Sequence, residues 1–202
     1  MLRKVLSGVC AGILISIGGT VFLSCDNRYL GAILFSVALL SICIKGYYLF
    51  TGKVGFLWED HSRESISITL LALFGNAIGT ILCGFLLAEV LPNCQAAAEK
   101  ICSAKLTQAP LFTFVRGVFC GILMYLAVSI YRDQKNPIGI LFCIPVFILS
   151  GFEHSIANLY YFACSGIVSW EACGYLWIVI AGNAVGGVLL PMLSMVQKEK
   201  QA

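Results

Sequence analysis

Charge is scarce in this chain. Lys and Arg number 13 and Asp and Glu 10 among 202 residues, so 11% of the side chains are charged against 59% hydrophobic, and mean hydropathy is +0.92. Too few polar groups remain to clothe a water-soluble globule, which makes this an integral membrane protein. There are two histidines and no Cys-x-x-Cys pair, no metal-binding constellation, no Ser-His-Asp set and no nucleotide-binding glycine loop between a strand and a helix. An enzyme and a bound cofactor or metal are therefore not expected. No basic face interleaves with aromatics, so the net charge of +3 does not point to nucleic acid. No long soluble stretch is present either, so an ATP-driven pump would need a separate motor subunit.

Long apolar runs are abundant. They fall at 5–23, 29–58, 66–90, 111–131, 138–168 and 175–196, and about 20 apolar residues suffice for a helix to cross the hydrocarbon core. An all-α single transmembrane domain over 1–202 with six crossings follows. The first run reads as a retained span, because Cys25-Asp26-Asn27 offers no small-x-small cleavage pattern. With a cytoplasmic N-terminus the inner side holds Arg3, Lys4, Arg63, Arg132, Lys135, Lys198 and Lys200, and the outer side only Arg28, Lys100 and Lys105. The positive-inside rule selects that orientation, with both termini cytoplasmic. Seven of the ten cysteines lie within or beside apolar runs, as small packing residues do. Cys94 and Cys102, in the longest polar loop, and Cys173, close to Cys164, leave a disulfide open should those loops face an oxidising compartment.

The chain repeats itself. Gly75-Asn76-Ala77-Ile78-Gly79 in the third span answers Gly182-Asn183-Ala184-Val185-Gly186 in the sixth at a constant offset of 107, and Gly8, Val9, Gly12, Ile13 and Leu14 in the first answer Gly117, Val118, Gly121, Ile122 and Leu123 in the fourth. Two copies of three spans result, repeat one at 1–90 and repeat two at 110–196. Three is odd, so the second copy enters the bilayer from the opposite face, the inverted-repeat plan of many transporters. The second and fifth runs are overlong and are interrupted at 45–53 and 151–158. Both read as broken helices, and non-helical backbone at that depth survives only where protein buries it or a water-filled cavity adjoins it. The second interruption carries Glu153, His154, Ser155 and Asn158, and ionisable groups at membrane depth are functional by default.

The run Gly-Phe-Glu-His-Ser-Ile-Ala-Asn (151–158), with Leu-Phe-Thr-Gly (49–52), Gly-Asn-Ala-Val-Gly-Gly (182–187) and Ala-Gly-Ile-Leu-Ile-Ser-Ile (11–17), resembles the formate/nitrite transporter family over nearly the whole chain. The resemblance implies an aquaporin-like protomer of six transmembrane helices, the second and fifth broken. It also implies a homopentamer with one pore per protomer, set in a prokaryotic inner membrane and passing formate, nitrite, hydrosulfide or other small monovalent anions. It places His154 at the family's central pore histidine and Thr51 on the threonine of the second-span loop. Glu153 and Asn158 fall on the polar partners that anchor the fifth span. Phe35, Leu39, Leu49, Phe50, Met124 and Phe147 fall on the pore and its apolar constrictions. Three positions depart from the pattern: Tyr48 stands where an acidic residue is usual, Lys53 where Asn is common, and Gly121 where an asparagine is often found.

The chemistry sets its own requirement. A carboxylate-sized ion entering a medium of ε near 4 faces an idealised desolvation cost of order 20 kcal/mol. Lys53, Lys45 and Arg116 can raise the local anion concentration, Thr51 and the loop amides can donate hydrogen bonds, and His154 can donate one or hand over a proton. A weak-acid anion drawn in by the basic groups would then pass the apolar slits wholly or partly as its neutral acid. Formate is the default substrate; hydrosulfide, nitrite, acetate and lactate remain alternatives, and protons are partners in either channel or symport operation. Glu153 is expected to accept hydrogen bonds from loop amides freed by the break, and Asn76 and Asn183 to tie the third and sixth spans to the broken helices. Lys45 is expected to face the pore, a carboxylate or a subunit contact. A receptor or assembly subunit whose pore is blocked is the reading from a different class.

Overall fold

The computed structural model describes residues 1–199, with side chains placed through Ser194, so Lys198 and Lys200 lie outside the described side chains. Its helices are α1 (Leu2–Ser24), α2 (Arg28–Lys45), α3 (Phe50–Lys53) running into a 3₁₀ turn (Val54–Trp58), α4 (Arg63–Val90), α5 (Pro92–Leu106), α6 (Pro110–Gln134), α7 (Ile138–Leu149), α8 (Ser155–Ser165) and α9 (Trp170–Glu199). No strand occurs among the described residues. Five helices, α1, α2, α4, α6 and α9, are long and apolar enough to cross a membrane, and α7 is a shorter apolar helix of 12 residues.

The burial pattern is that of a lipid-facing protein. Large apolar side chains such as Ile33, Val37, Ile44, Leu82 and Leu86 point outward, while Ser16, Ser36, Thr51, Asn76, Thr80, Glu153, His154 and Asn183 are buried. Polar groups gather inside because hydrocarbon offers them no partner. Helix α1 packs on α4 and α6 on α9, with Gly8 and Gly12 against Gly75 and Gly79, Gly117 against Gly182, Gly121 against the backbone of Asn183 and Gly187, and Gly186 against that of Val118. Small residues let backbones approach this closely, which is how helices associate without a hydrophobic drive between them.

Two glycines terminate the broken helices. Gly46 (φ 69°) and Gly151 (φ 71°) take the left-handed conformation, and the next residue closes the same bond each time, Tyr47 N–H to Ile42 C=O and Phe152 N–H to Phe147 C=O, both at 3.0 Å. That six-to-one closure is the Schellman stop. The two breaks are not alike beyond it. The second resumes as α8, 11 residues long, whereas the first resumes as a four-residue α3 and the 3₁₀ turn. There Gly55 lies so close to α9 that a Cβ on it would meet the Gly187 carbonyl at 2.6 Å.

The polar loop expected between the third and fourth spans is instead helix α5. Its buried residues are Cys94, Ala98 and Cys102, spaced by four on one stripe that packs on α8, α1 and α4. All ten cysteines are free. Cys94 and Cys102 are eight residues apart on one helix, about 12 Å along its axis, beyond the reach of a disulfide.

Candidate functional site

Leu49 and His154 hold equivalent places 105 residues apart. Each is an extended residue, at φ −103° and ψ 127° or 115°, that opens the half-helix after a break. Extended backbone there leaves amides and carbonyls unpaired, and two fully buried asparagines satisfy them. Asn76 Oδ1 accepts Phe50 N–H at 2.9 Å while its Nδ2 donates to Gly8 C=O at 2.8 Å and Tyr48 C=O at 2.9 Å. Asn183 Oδ1 accepts Ser155 N–H at 2.8 Å while its Nδ2 donates to Gly117 C=O at 2.9 Å and Glu153 C=O at 2.8 Å. One amide side chain thus binds a broken helix to two neighbours in each half.

His154 Nδ1 accepts Ala157 N–H at 3.1 Å and so caps α8, while Nε2 meets Thr51 Oγ1 at 3.0 Å. A ring nitrogen that accepts an amide carries no proton. The neutral ring is therefore protonated at Nε2 and donates to Thr51. An imidazolium would have to surrender the Ala157 bond and set a cation at the positive end of α8. Phe147 stacks on the ring at 5.6 Å between centroids, and Phe35 meets Phe147 edge-on at 6.4 Å.

Glu153 does not accept the loop amides as expected, because Asn183 and His154 already take them. Its carboxylate is ion-paired with Lys105, accepts Asn158 Nδ2 at 2.9 Å and Gln108 Nε2 at 3.5 Å. Lys105 and Gln108 belong to α5 and the turn after it, so this helix is pinned over the second break by a buried charge.

Two vestibules flank the His154–Thr51 pair; one reaches His154, and Thr51, buried between them, lines neither. One, about 440 Å³, opens beside α5, and Arg28, Lys105 and Arg116 line it with Phe35, Phe147 and His154 at its floor. The other, about 410 Å³, opens on the face that carries Met1 and the start of α4, with Lys53, Glu59, Asp60, Arg132 and Lys135 among its lining and Leu39 and Leu49 at its neck. Arg132 crosses that rim to Glu59 at 2.9 Å. Asp60, exposed in the loop before α4, is held below the usual carboxylate range by the Ser65 hydroxyl and the Ser62 amide.

The expected pore residues sort unevenly. Leu49, Gly52 and Lys53 share the vestibule face of α3, and successive helical residues turn by about 100°. Phe50 is carried by that turn into the core, where neither it nor Met124 lines a vestibule, although both are buried. Lys45 does not face the pore. It sits exposed on the last turn of α2, outside both vestibule linings. Two departures from the family pattern meet: Lys53 Nζ lies over the Tyr48 ring, 4.9 Å from its centroid.

Comparison with known proteins is consistent with this architecture. The family described as "Formate/nitrite transporter" matches residues 1–196. The nitrite transporter NirC of Escherichia coli K12 is 28% identical over 177 residues, 77% of this chain and 66% of that protein, just under two thirds of its length. The uncharacterized transporter YwcJ of Bacillus subtilis is 28% identical over 94% of this chain and 86% of its own. Among solved structures, an "FNT family ion channel" matches at TM-score 0.82 and 25% identity, covering 98% of this chain and 88% of that one. A "Pentameric formate channel with formate bound" matches at TM-score 0.76 and 26% identity, covering 98% and 97%.

Proposed function

The chain belongs to the formate/nitrite transporter family, a family of transporters and channels and not of enzymes, and from that premise we propose that it conducts small monovalent weak-acid anions, formate the default, through a pore within each protomer of a homopentamer. The protein is then a multi-pass protein of a bacterial inner membrane, its two halves, 1–90 and 110–196, inverted repeats and its termini cytoplasmic. The observation that carries this reading is a buried, hydrogen-bonded donor pair, Thr51 and His154, set between two vestibules: one reaches His154 beside Phe35 and Phe147, and the other ends at Leu39, Leu49 and Gly52, the last two flanking Phe50 and Thr51 in sequence.

The mechanism follows from what each part supplies. Arg28 and Arg116 on one side and Lys53 on the other concentrate anions. As the anion leaves water for an apolar neck, desolvation raises its affinity for a proton. It takes that proton from vestibule water. The resting His154 has a proton only at Nε2, and giving it up entirely would leave an imidazolate, so its part is to donate a hydrogen bond at the narrowest passage. At rest that bond goes to Thr51 Oγ1; as the anion arrives Nε2–H turns from Thr51 to the anion's oxygen, and the Thr51 hydroxyl donates to the same oxygen.

Formate uptake into liposomes, with voltage and pH clamped independently, tests the reading. Expected is flux well above empty vesicles, rising as external pH falls. Flux at background in wild type would leave the blocked-pore alternative standing. A fully charged passage would respond to voltage by about 2.3 kcal/mol per 100 mV.

A further inference from the structure

Lys53 is a half-buried ammonium with no carboxylate partner among the described residues. The ion pairs among the described residues are Lys4–Glu64, Lys105–Glu153, Arg132–Glu59 and Arg132–Asp133. The two carboxylates that share its vestibule are engaged elsewhere: Glu59 with Arg132 and, at 3.1 Å, the Tyr125 hydroxyl, and Asp60 with Ser62 and Ser65. Lys53 rests instead on the Tyr48 ring at 4.9 Å.

That ring is held in place. Tyr48 N–H donates to Ser7 Oγ at 3.0 Å and its C=O accepts from Asn76 Nδ2 at 2.9 Å, so α1 and α4 both grip its backbone. An aromatic face attracts an ammonium through its quadrupole and leaves the net charge in place. A carboxylate at the same position would hold the lysine equally well and cancel its field. The charge therefore stays available, on the face of α3 that carries Leu49, two residues from Thr51.

We propose that Lys53, positioned by Tyr48, is an anion-docking subsite at the termini-side neck, where a small monovalent carboxylate pauses against the ammonium before passing Leu49 to Thr51. The proposal rests on the transport reading and adds a second station to it. Tyr48 acts through Lys53 and is a positioning residue. Its ring, not its hydroxyl, does the work.

The test uses the full chain in vesicles selected for one orientation, with initial formate flux measured against concentration supplied from the termini face. Lys53→Gln is expected to raise the half-saturating concentration about tenfold, the low end of what a focused charge adds to local counter-ion concentration. Tyr48→Glu is expected to do the same with Lys53 intact, because it neutralises the ammonium in place. Tyr48→Phe keeps the ring and leaves the Lys53 charge in place, and should remain within about twofold of wild type. A half-saturation in either Lys53→Gln or Tyr48→Glu equal to wild type overturns the subsite. Should wild type carry no flux, the transport reading falls by itself. Line broadening of [13C]formate by the detergent-solubilised protein then decides the subsite alone: broadening lost in Lys53→Gln upholds it, and equal broadening in both proteins refutes it.

Discussion

Asn76 and Asn183 perform the same task in the two halves: one Oδ1 for a half-helix amide and one Nδ2 shared between two carbonyls. Neither side chain is exposed. In lipid no water can replace those bonds, so each asparagine is what permits a break at membrane depth. Replacing Asn183 by Ala strands Ser155 N–H and the Glu153 carbonyl, each unmet group costing about 1–3 kcal/mol, and removes the second bond to Gly117 C=O, which α6 itself already engages. The variant is expected to lose more thermal stability in detergent than any surface substitution on α9, as read by the melting midpoint. An unchanged midpoint would mean that the breaks are held by packing alone.

The two jobs of His154 can be separated. Asparagine is a good helix N-cap, so in His154→Asn the amide oxygen can replace Nδ1 as acceptor for Ala157 N–H while nothing replaces the Nε2 donor toward Thr51. The protein should fold with near-normal stability and lose formate flux roughly tenfold to a hundredfold, the kinetic equivalent of one hydrogen bond to a charged group. Full flux in a folded variant would remove the ring from the mechanism. Nitrogen NMR of the wild-type ring should show the proton on Nε2.

The Lys105–Glu153 pair makes a third expectation. Breaking a buried ion pair by removing one partner costs about 3–5 kcal/mol, whereas replacing both partners is far milder. Lys105→Met should therefore destabilise strongly, and adding Glu153→Gln to it should recover most of the loss, since Asn158 and Gln108 can still hydrogen-bond to a neutral amide. Additive losses in the double variant would contradict a coupled pair.

These contacts also mark where sequence reading ends. The breaks are legible because Gly46 and Gly151 sit where a helix must stop, and the asparagines because they recur at one offset. Helix α5 was hidden by its polarity, since hydropathy registers only lipid-facing helices; the spacing of Cys94, Ala98 and Cys102 was its one available signal. Nothing local ties Lys105 to Glu153, 48 residues away. Phe50 falls outside both vestibule linings for a simpler reason. Proximity to the break in sequence says nothing about rotation around a short helix, and one residue's turn moves a side chain from pore to core.

At the rim, Asp60 yields a pH expectation. Donation from the Ser65 hydroxyl and the Ser62 amide holds its carboxyl below its ordinary value of 3.8. A group whose folded pKa is depressed contributes stability above the unfolded value and loses it as pH falls through the folded one. The start of α4 should accordingly be ordered at neutral pH and fray in acid, seen as faster amide exchange at Ser65 and Ile66. Ser65→Ala removes the foremost donor, so fraying should begin at higher pH. Exchange that ignores pH would assign the order of this turn to the Ser62 cap alone.

Gly121 and Gly174 make opposite cases on facing helices. A Cβ at Gly121 would run into the Asn183 carbonyl and lie 2.8 Å from the Gly187 amide nitrogen, both backbone atoms that cannot step aside. Helices α6 and α9 would have to part, pulling Asn183 from the carbonyls it holds. Overpacking of this kind costs about 1–3 kcal/mol, and the bulkier Gly121→Asn should be worse than Gly121→Ala. At Gly174 a Cβ meets nothing within 4 Å, so Gly174→Ala should keep or raise the melting midpoint, alanine being favoured over glycine in a helix by about 1 kcal/mol. The pair of alanine variants, melted side by side, isolates close approach from helix propensity. If both shift the midpoint alike, the contact between α6 and α9 is looser than this geometry requires.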